Sequence, residues 1–369
     1  MADGGRRAAP PQRLAIRPPL CLRVMSRISP FLWCGLALTA ALLLSAGIGA
    51  VPIPPVDVAR LLASRLMGGA PDANWPSTWE TILFSIRLPR TALVALTGAA
   101  LAGSGAAYQG LFRNPLADPY LVGVASGAGL GAVLVMAWRW PASLLGMATV
   151  PAGAFLGALV TVALVVNLAR LGRPSSSPAG VTPLTALILA GVAVGAFATA
   201  LMTFLMLRSQ GELRRAMAWL LGGFALGGWD PVWAALPYVV LGLGTLLILA
   251  RPLNVLQFGE DQAQQLGLAV DRLKLVIIAA ASLAAAAAVA FSGIIGFVGL
   301  VVPHVARLLW GTDYRRLLPL SILAGAAGLL LADIAARTVL APQEVPVGIV
   351  TALAGAPFFL WLLRRAPAA

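Results

Sequence analysis

Apolar stretches recur along nearly the whole chain, separated by short polar or proline- and glycine-rich connections. A helix needs about 20 mostly apolar residues to cross the hydrocarbon core of a membrane. The pattern therefore predicts an all-α, polytopic membrane protein with about ten transmembrane helices. The predicted spans are 29–50, 88–110, 120–138, 145–170, 183–207, 232–250, 274–291, 294–311, 318–337 and 346–363. An even number of spans places both ends of the chain on the same side of the membrane.

Three connections between the predicted spans are longer than a tight turn requires. Residues 51–87 contain several prolines and are predicted to form a loop on the outer side. Residues 208–231 are predicted to form a short amphipathic helix followed by a glycine-rich turn, also on the outer side. Residues 251–273 are polar and fall on the cytoplasmic side. The distribution of Lys and Arg favours this orientation, with a cytoplasmic N-terminus, by a small margin.

The composition excludes an ordinary soluble protein. Of the 369 residues, 60% are hydrophobic and 11% are charged, whereas about a quarter of a soluble domain is charged. The net charge of +13 comes almost entirely from arginines at the ends of apolar stretches, which is typical of lipid headgroup contacts rather than nucleic-acid binding. We expect residues 1–27 to form a basic, disordered tail and residues 28–369 a single transmembrane permease domain. Met25 is an alternative start, and a cleaved signal peptide is the less favoured interpretation of the N-terminal region.

The chain lacks the residues that would power transport or catalyse a reaction by itself. A phosphate-binding loop needs a lysine beside its last glycine, but the only lysine, Lys274, lies between two leucines. His304 is the only histidine, which excludes a zinc site with two histidine ligands. Asp333 lies deep in a late span, and Arg337, one turn later, is predicted to pair with it. We therefore expect no catalytic site, no metal site and no cofactor, and an energy source on another subunit.

Residues 258–269 have the properties of a short helix that contacts a soluble partner. Glu260 and Asp261 lie at its predicted start, where the helix dipole favours acidic residues, and Gly267 ends it. A solvated loop is an equally good interpretation of these residues alone. The alternative to a partner-driven importer is a stand-alone secondary transporter or channel, which the scarcity of acidic residues within the spans does not favour.

A series of motifs in order between residues 87 and 365 resembles the permease subunits of ATP-binding-cassette (ABC) importers for ferric siderophores, haem and cobalamin. The most specific motif is Gly296-Phe297-Val298-Gly299-Leu300-Val301-Val302-Pro303-His304. Others are Arg87-Leu88-Pro89-Arg90-Thr91, Asn114-Pro115-Leu116-Ala117-Asp118-Pro119, Trp219-Leu220-Leu221-Gly222-Gly223 and Glu344-Val345-Pro346-Val347-Gly348. The resemblance implies a type II importer permease in the bacterial inner membrane. It also implies a homodimer, two ABC ATPase subunits on the cytoplasmic face and a substrate-binding protein on the outer face.

The resemblance further implies roles for individual residues. The positions that correspond to the coupling helix, which contacts the ATPase, are Glu260, Gln264, Leu266 and Gly267. Arg87 and Arg337 correspond to arginines that dock the binding protein; from the residues alone, contact with lipid headgroups is the commoner role of such arginines. Ser176 and Thr182 fall in the inner-gate loop, and the fifth and tenth spans line the path. The implied cargo is an iron chelate (ferric siderophore or haem) or cobalamin, with the iron complex preferred.

Overall fold

The structure is a computed structural model that describes residues 29–49, 51, 53–67, 76–138, 140, 141, 143, 144, 147–171, 184–224 and 226–365. The predicted tail, 1–27, lies outside the described residues, and so do both predicted inner-gate residues, Ser176 and Thr182.

Fifteen α-helices, numbered in chain order, make up most of the described part of the chain. They are α1 Pro30–Gly47, α2 Pro55–Leu66, α3 Ser77–Thr81, α4 Leu88–Leu111, α5 Val124–Ala137, α6 Thr149–Leu171, α7 Leu184–Arg208, α8 Leu213–Leu220, α9 Asp230–Ile248, α10 Ala250–Leu256, α11 Glu260–Gln265, α12 Val270–Ser292, α13 Val298–Trp310, α14 Tyr314–Thr338 and α15 Val347–Arg365. A π-helical segment, Ile82–Arg87, joins α3 to α4, and short 3-10 turns cover Pro119–Val122 and Gln210–Glu212. Strands β1 (Ser143–Leu144) and β2 (Met147–Ala148) form a small antiparallel hairpin.

Ten of these helices coincide with the ten predicted spans, which confirms the fold class. Among the described residues, seven helices are long and apolar enough to cross a membrane, and α5, α13 and most of α15 are shorter apolar helices. The amphipathic helix predicted after the fifth span is also present, as α8.

The loop predicted over residues 51–87 is wrong in part, because much of this segment is helical. The second span begins near Thr78 and runs without interruption to Leu111. Leu83 anchors this extension in a small apolar cluster with Ile53 and with residues of α2. In the sequence, polar residues around Leu83 weaken the hydrophobic pattern of this segment, and Pro89 resembles a helix breaker. In the structure Pro89 lies inside this continuous helix, directly after the π-helical segment. A proline inside a helix removes one backbone hydrogen bond, and here it follows a turn in which the regular α-helical hydrogen-bond pattern is already interrupted.

Helix α4 lies at the centre of the bundle. It packs against α9, α12, α13 and α14. In its most apolar window 83% of the residues are buried, compared with 22% for α7. The contrast follows from composition: α4 is rich in glycine and alanine, which allow neighbouring helices to approach closely, whereas α7 carries large apolar side chains on its exposed surface.

Glycines mark the closest helix contacts. A Cβ atom added to Gly105 of α4 would lie 1.8 Å from the carbonyl oxygen of Gly299 in α13. One added to Gly98 would lie 2.3 Å from the carbonyl oxygen of Gly325 in α14. In both cases the obstacle is backbone, which cannot move aside as a side chain can. Van der Waals packing of this kind replaces the hydrophobic effect as the force that holds helices together in lipid.

We expect Gly105→Ala to destabilise the bundle by roughly 1–3 kcal/mol, the typical range for overpacking a well-packed interior. The matched control is Gly244→Ala in α9, where an added Cβ would meet nothing within 4 Å. Alanine at that position should be neutral or stabilising by up to about 1 kcal/mol, because it favours the helix. Thermal unfolding of the two purified variants tests this difference, and equal effects would show that the contact at Gly105 is unimportant.

The connection between α4 and α5 turns back into the bundle instead of following its surface. The Tyr120 hydroxyl donates a hydrogen bond to the carbonyl of Ile295, 2.8 Å away, in the turn between α12 and α13. Nearby, the Gln109 amide donates to the carbonyl of Leu300 at 3.0 Å. Non-helical backbone is tolerated at membrane depth where protein surrounds it. This arrangement explains why α5 and α13, which begin beside this connection, are shorter than the other spans.

Candidate functional site

Two arginines and two acidic residues form an ionic cluster at the end of the bundle opposite α11. Asp333 of α14 is completely buried, and its two carboxylate oxygens lie 2.9 Å from Arg90 Nη2 and 2.9 Å from Arg337 Nε. Arg90 also contacts Glu344, with Nη1 2.9 Å from Oε2. The ion pair predicted between Asp333 and Arg337 is therefore confirmed. Arg90 adds a link that connects α4 to α14 and to the segment before α15.

Arg87 and Arg337 both hold the C-terminal end of α1. The Arg87 guanidinium donates to the carbonyls of Ala46 and Gly47 at 3.0 and 2.8 Å, and also to that of Val51. Arg337 donates to the carbonyl of Ile48 at 3.0 Å. The last carbonyls of a helix have no partner within the helix and carry a partial negative charge, so cations bind them favourably.

The same arginines line an open cleft of about 650 Å³ at this end of the bundle, together with Arg90, Glu344 and Thr338. The structure thus brings the two predicted docking residues together, although both are largely buried, and adds Arg90, which the sequence analysis did not select. The signal for Arg90 was present: it follows Arg87 by three residues, a spacing that places both on one face of a helix.

At the other end of the bundle, the predicted coupling segment contains the short helix α11. Glycines with positive φ values flank it: Gly259 at +117° and Gly267 at +85°. Glycine adopts such conformations without the steric penalty of a side chain. Ala263 lies on the buried face of α11, whereas Leu266, directly after the helix, is 68% exposed.

The four predicted coupling residues do not have equivalent surroundings. Gln264, Leu266 and Gly267 are exposed. Glu260 is partly buried and forms an ion pair with Lys274 of α12. Glu260 therefore fastens α11 to a transmembrane span, while the other three residues form its accessible surface.

Helix α10 connects the α11 segment to the ends of α4 and α14. The Asn254 amide donates to the Asp313 carboxylate at 2.6 Å and accepts from the backbone N–H of Tyr314 at 2.8 Å. Gln257 donates to the carbonyl of Gly110 at 2.9 Å. The hydrogen bond from Asn254 lowers the pKa of Asp313 below its ordinary value, with a second contribution from the backbone N–H of Arg315. These contacts hold α11 on a rigid support.

The predicted path helices present large apolar surfaces. Only Leu187, Gly191 and Ala198 are buried among the residues of α7. The large apolar side chains exposed on α7 and α15 are Leu189, Val192, Phe197, Phe204, Leu207, Leu353, Leu360 and Trp361. No group of His, Cys, Asp and Glu that could hold a metal ion occurs in the part of the chain that the structure describes. The α7 and α15 surfaces therefore offer apolar contact rather than coordination chemistry.

A bundle of ten apolar helices with an ionic cluster at one end and a braced, exposed helix at the other defines a membrane permease of the ABC importer class. The FecCD transport family matches residues 37–365, and the chain belongs to this family. It is a multi-pass protein of the bacterial inner membrane.

Curated relatives cover most of the chain. The cobalamin import system permease protein BtuC of Halobacterium salinarum is 47% identical over 316 residues, which are 86% of this chain and 80% of the relative. The vitamin B12 import system permease protein BtuC of Escherichia coli O157:H7 is 42% identical, over 83% of this chain and 93% of the relative. The uncharacterized ABC transporter permease protein YvrB of Bacillus subtilis is 44% identical, over 89% of this chain and 91% of the relative.

A solved structure shows the same fold. It is an inward-facing transporter assigned to the metal-chelate ABC type, with a TM-score of 0.74 and 32% sequence identity. The match covers 91% of this chain and 98% of that chain.

Proposed function

We propose that this chain moves a corrinoid, with cobalamin as the first candidate, into the cytoplasm, and that a separate ATPase powers the movement. The cargo preference rests on the two relatives named for cobalamin or vitamin B12 import. It replaces the preference for an iron complex that the motifs alone implied. An iron chelate is the second candidate, because the solved structure with this fold is of the metal-chelate type.

The observation that carries the proposal is the geometry of α11. The helix has an exposed surface around Leu266, and it is joined to α12 by the ion pair between Glu260 and Lys274. A stiff element fixed to a span can transmit a push from a partner, whereas a flexible loop would absorb it. We assign the ATPase contact to Gln264, Leu266 and Gly267, with Glu260 as the link to the membrane domain.

We assign the homodimer contact and the path to the exposed surfaces of α7 and α15. A contiguous apolar surface on a membrane helix faces either lipid or another protein. Large apolar side chains without charged neighbours also form walls to which a bulky, polar cargo adheres weakly. The segment that contains Ser176 and Thr182, which lies outside the described residues, remains our proposal for the inner gate.

We assign the binding-protein contact to the cleft that Arg87 and Arg337 line. Arginine forms forked hydrogen bonds with carboxylates, so a positively charged cleft suits acidic side chains of a soluble partner. Arg90 lies in the same cleft, between Asp333 and Glu344, and its side chain is 18% exposed.

Uptake by vesicles that contain the reconstituted complex tests the proposed function. Radiolabelled cobalamin should accumulate only when the permease, the ATPase, the binding protein and ATP are all present, and ferric siderophores should not compete. Competition by a siderophore would assign the chain to the second cargo. Accumulation without ATP that depends on an ion gradient would contradict the proposal and indicate a secondary transporter.

Docking can be tested without removing the arginines that hold α1. Thr338 lines the cleft and is exposed, so Thr338→Glu introduces a carboxylate that competes with the partner for the same guanidinium groups. We expect this variant to weaken binding of the substrate-binding protein by more than about tenfold, since like charges across an interface cost several kcal/mol. The size-matched Thr338→Gln variant should bind as the wild type does. Equal affinity for all three proteins in a surface plasmon resonance measurement would place docking elsewhere.

A further inference from the structure

A second cavity, unrelated to the cleft and to α11, opens on the lateral surface of the bundle. It is a groove of about 660 Å³ between α6 and α9, and α12 forms its floor. The rings of Phe155 in α6 and Tyr238 in α9, with centroids 4.8 Å apart, bring these two helices together. The groove begins just beyond this contact and ends near Arg170, toward the end of the bundle that carries α11.

The groove presents almost only hydrocarbon. Its polar side chains already have partners: Asn167 donates to the carbonyl of Ala163, Thr245 donates to that of Leu241, and Ser282 shares a hydrogen bond with Tyr108. A polar solute would find few free donors or acceptors on these walls, whereas an alkyl chain needs none.

The length of the groove corresponds to one leaflet. Leu159 and Arg170 mark its extent along α6, and at about 1.5 Å per residue they are separated by roughly 16 Å. This is about half of the 30 Å hydrocarbon core of a membrane. An acyl chain that fills the groove would therefore place its headgroup close to Arg170.

Three exposed arginines lie at this end of the bundle, and one of them, Arg170 in the last turn of α6, lines the groove. Arg251 lies at the start of α10, six residues after the groove residue Thr245, and Arg272 lies one turn before the groove residue Leu275 in α12. All three are exposed, and none has an ion pair within the described residues. Asp271 lines a small pocket together with Arg170 and Lys274, and Lys274 forms an ion pair with Glu260. One further carboxylate against three arginines leaves the local charge positive overall. Basic groups between helices near a membrane surface are typical sites for anionic lipid headgroups.

We propose that this groove binds an anionic phospholipid, with an acyl chain between α6 and α9 and the phosphate among Arg170, Arg251 and Arg272. The site lies in the inner leaflet in the predicted orientation. It adds a lipid-binding surface to the permease, and it does not depend on the identity of the cargo.

Native mass spectrometry of the full chain, released from vesicles that contain cardiolipin, phosphatidylglycerol and phosphatidylcholine, tests the proposal. The wild type should retain cardiolipin or phosphatidylglycerol in preference to phosphatidylcholine. The Arg170→Gln/Arg251→Gln variant should lose this preference by about fivefold for each arginine. The control, Arg316→Gln, changes an exposed arginine at the same end of the bundle on α14 and should behave as the wild type does.

A second variant tests the groove itself. Ala279 is exposed and lines the groove, so Ala279→Trp fills it and should abolish retention of the lipid while the arginines remain. Thermal unfolding of each variant verifies that the bundle is intact. Retention of phosphatidylcholine equal to that of the anionic lipids, or unchanged retention in both variants, would overturn the proposal.

Discussion

Leu266→Asp is expected to abolish ATP-driven uptake while the chain still folds and inserts. The Leu266 side chain is 68% exposed, so its replacement removes no internal contact. If α11 is buried against the ATPase, the carboxylate would lose its water without gaining a partner. A central residue of an interface typically contributes at least about 2 kcal/mol, which corresponds to roughly a thirtyfold loss of affinity.

Uptake and co-purification of the ATPase measure this effect together. The control, Thr312→Asp, places the same charge in the exposed connection between α13 and α14, at the same end of the bundle. It should retain uptake, and the conservative Leu266→Met variant should also retain it. If both aspartate variants lose uptake equally, the charge acts non-specifically and α11 is not the contact.

Asp333→Asn is expected to destabilise the chain more than any single change on its surface. Asp333 has no exposed area and pairs with both Arg90 and Arg337. Removal of its charge leaves two largely buried cations close together, and breaking a buried ion pair in this way typically costs about 3–5 kcal/mol. Arg90 keeps its contact with Glu344, so we expect a loss near about 3 kcal/mol, the lower end of that range.

Glu344→Gln is the matched control within the same cluster. The Glu344 side chain is 54% exposed, and exposed ion pairs contribute less than about 1 kcal/mol. Thermal unfolding in detergent should therefore separate the two variants clearly. Similar decreases in the unfolding temperature of the two variants would mean that burial of Asp333 does not govern the strength of the cluster.

Much of the fold could be predicted because its signals are local. Each span is a run of apolar residues, and water and lipid sort such runs before any tertiary contact forms. The pair Asp333–Arg337 was predictable for the same reason, since residues four apart are neighbours on any helix. The helix over residues 77–87 could not be predicted in this way. It depends on the packing of Leu83 against Ile53, and no local sequence pattern indicates that contact.

The candidate sites also combine features that the local sequence predicts with features that depend on contacts between distant residues. The polar character of residues 258–269 predicted an accessible helix, but the pairing of Glu260 with Lys274 depends on how α11 folds back on α12. The ion pairs of Arg90 could not be predicted, because Asp333 and Glu344 are more than 240 positions away in the sequence.

The sequence by itself determined that this chain is an all-α membrane protein with about ten spans and that its motifs are those of a permease family, because hydrophobicity and motif order are properties of residues taken in order. Only the tertiary structure decided which arginines share a cleft, which face of α11 is exposed and where a groove opens between α6 and α9. Those features arise from contacts between distant segments, and such contacts depend on the shapes that the helices adopt after they pack.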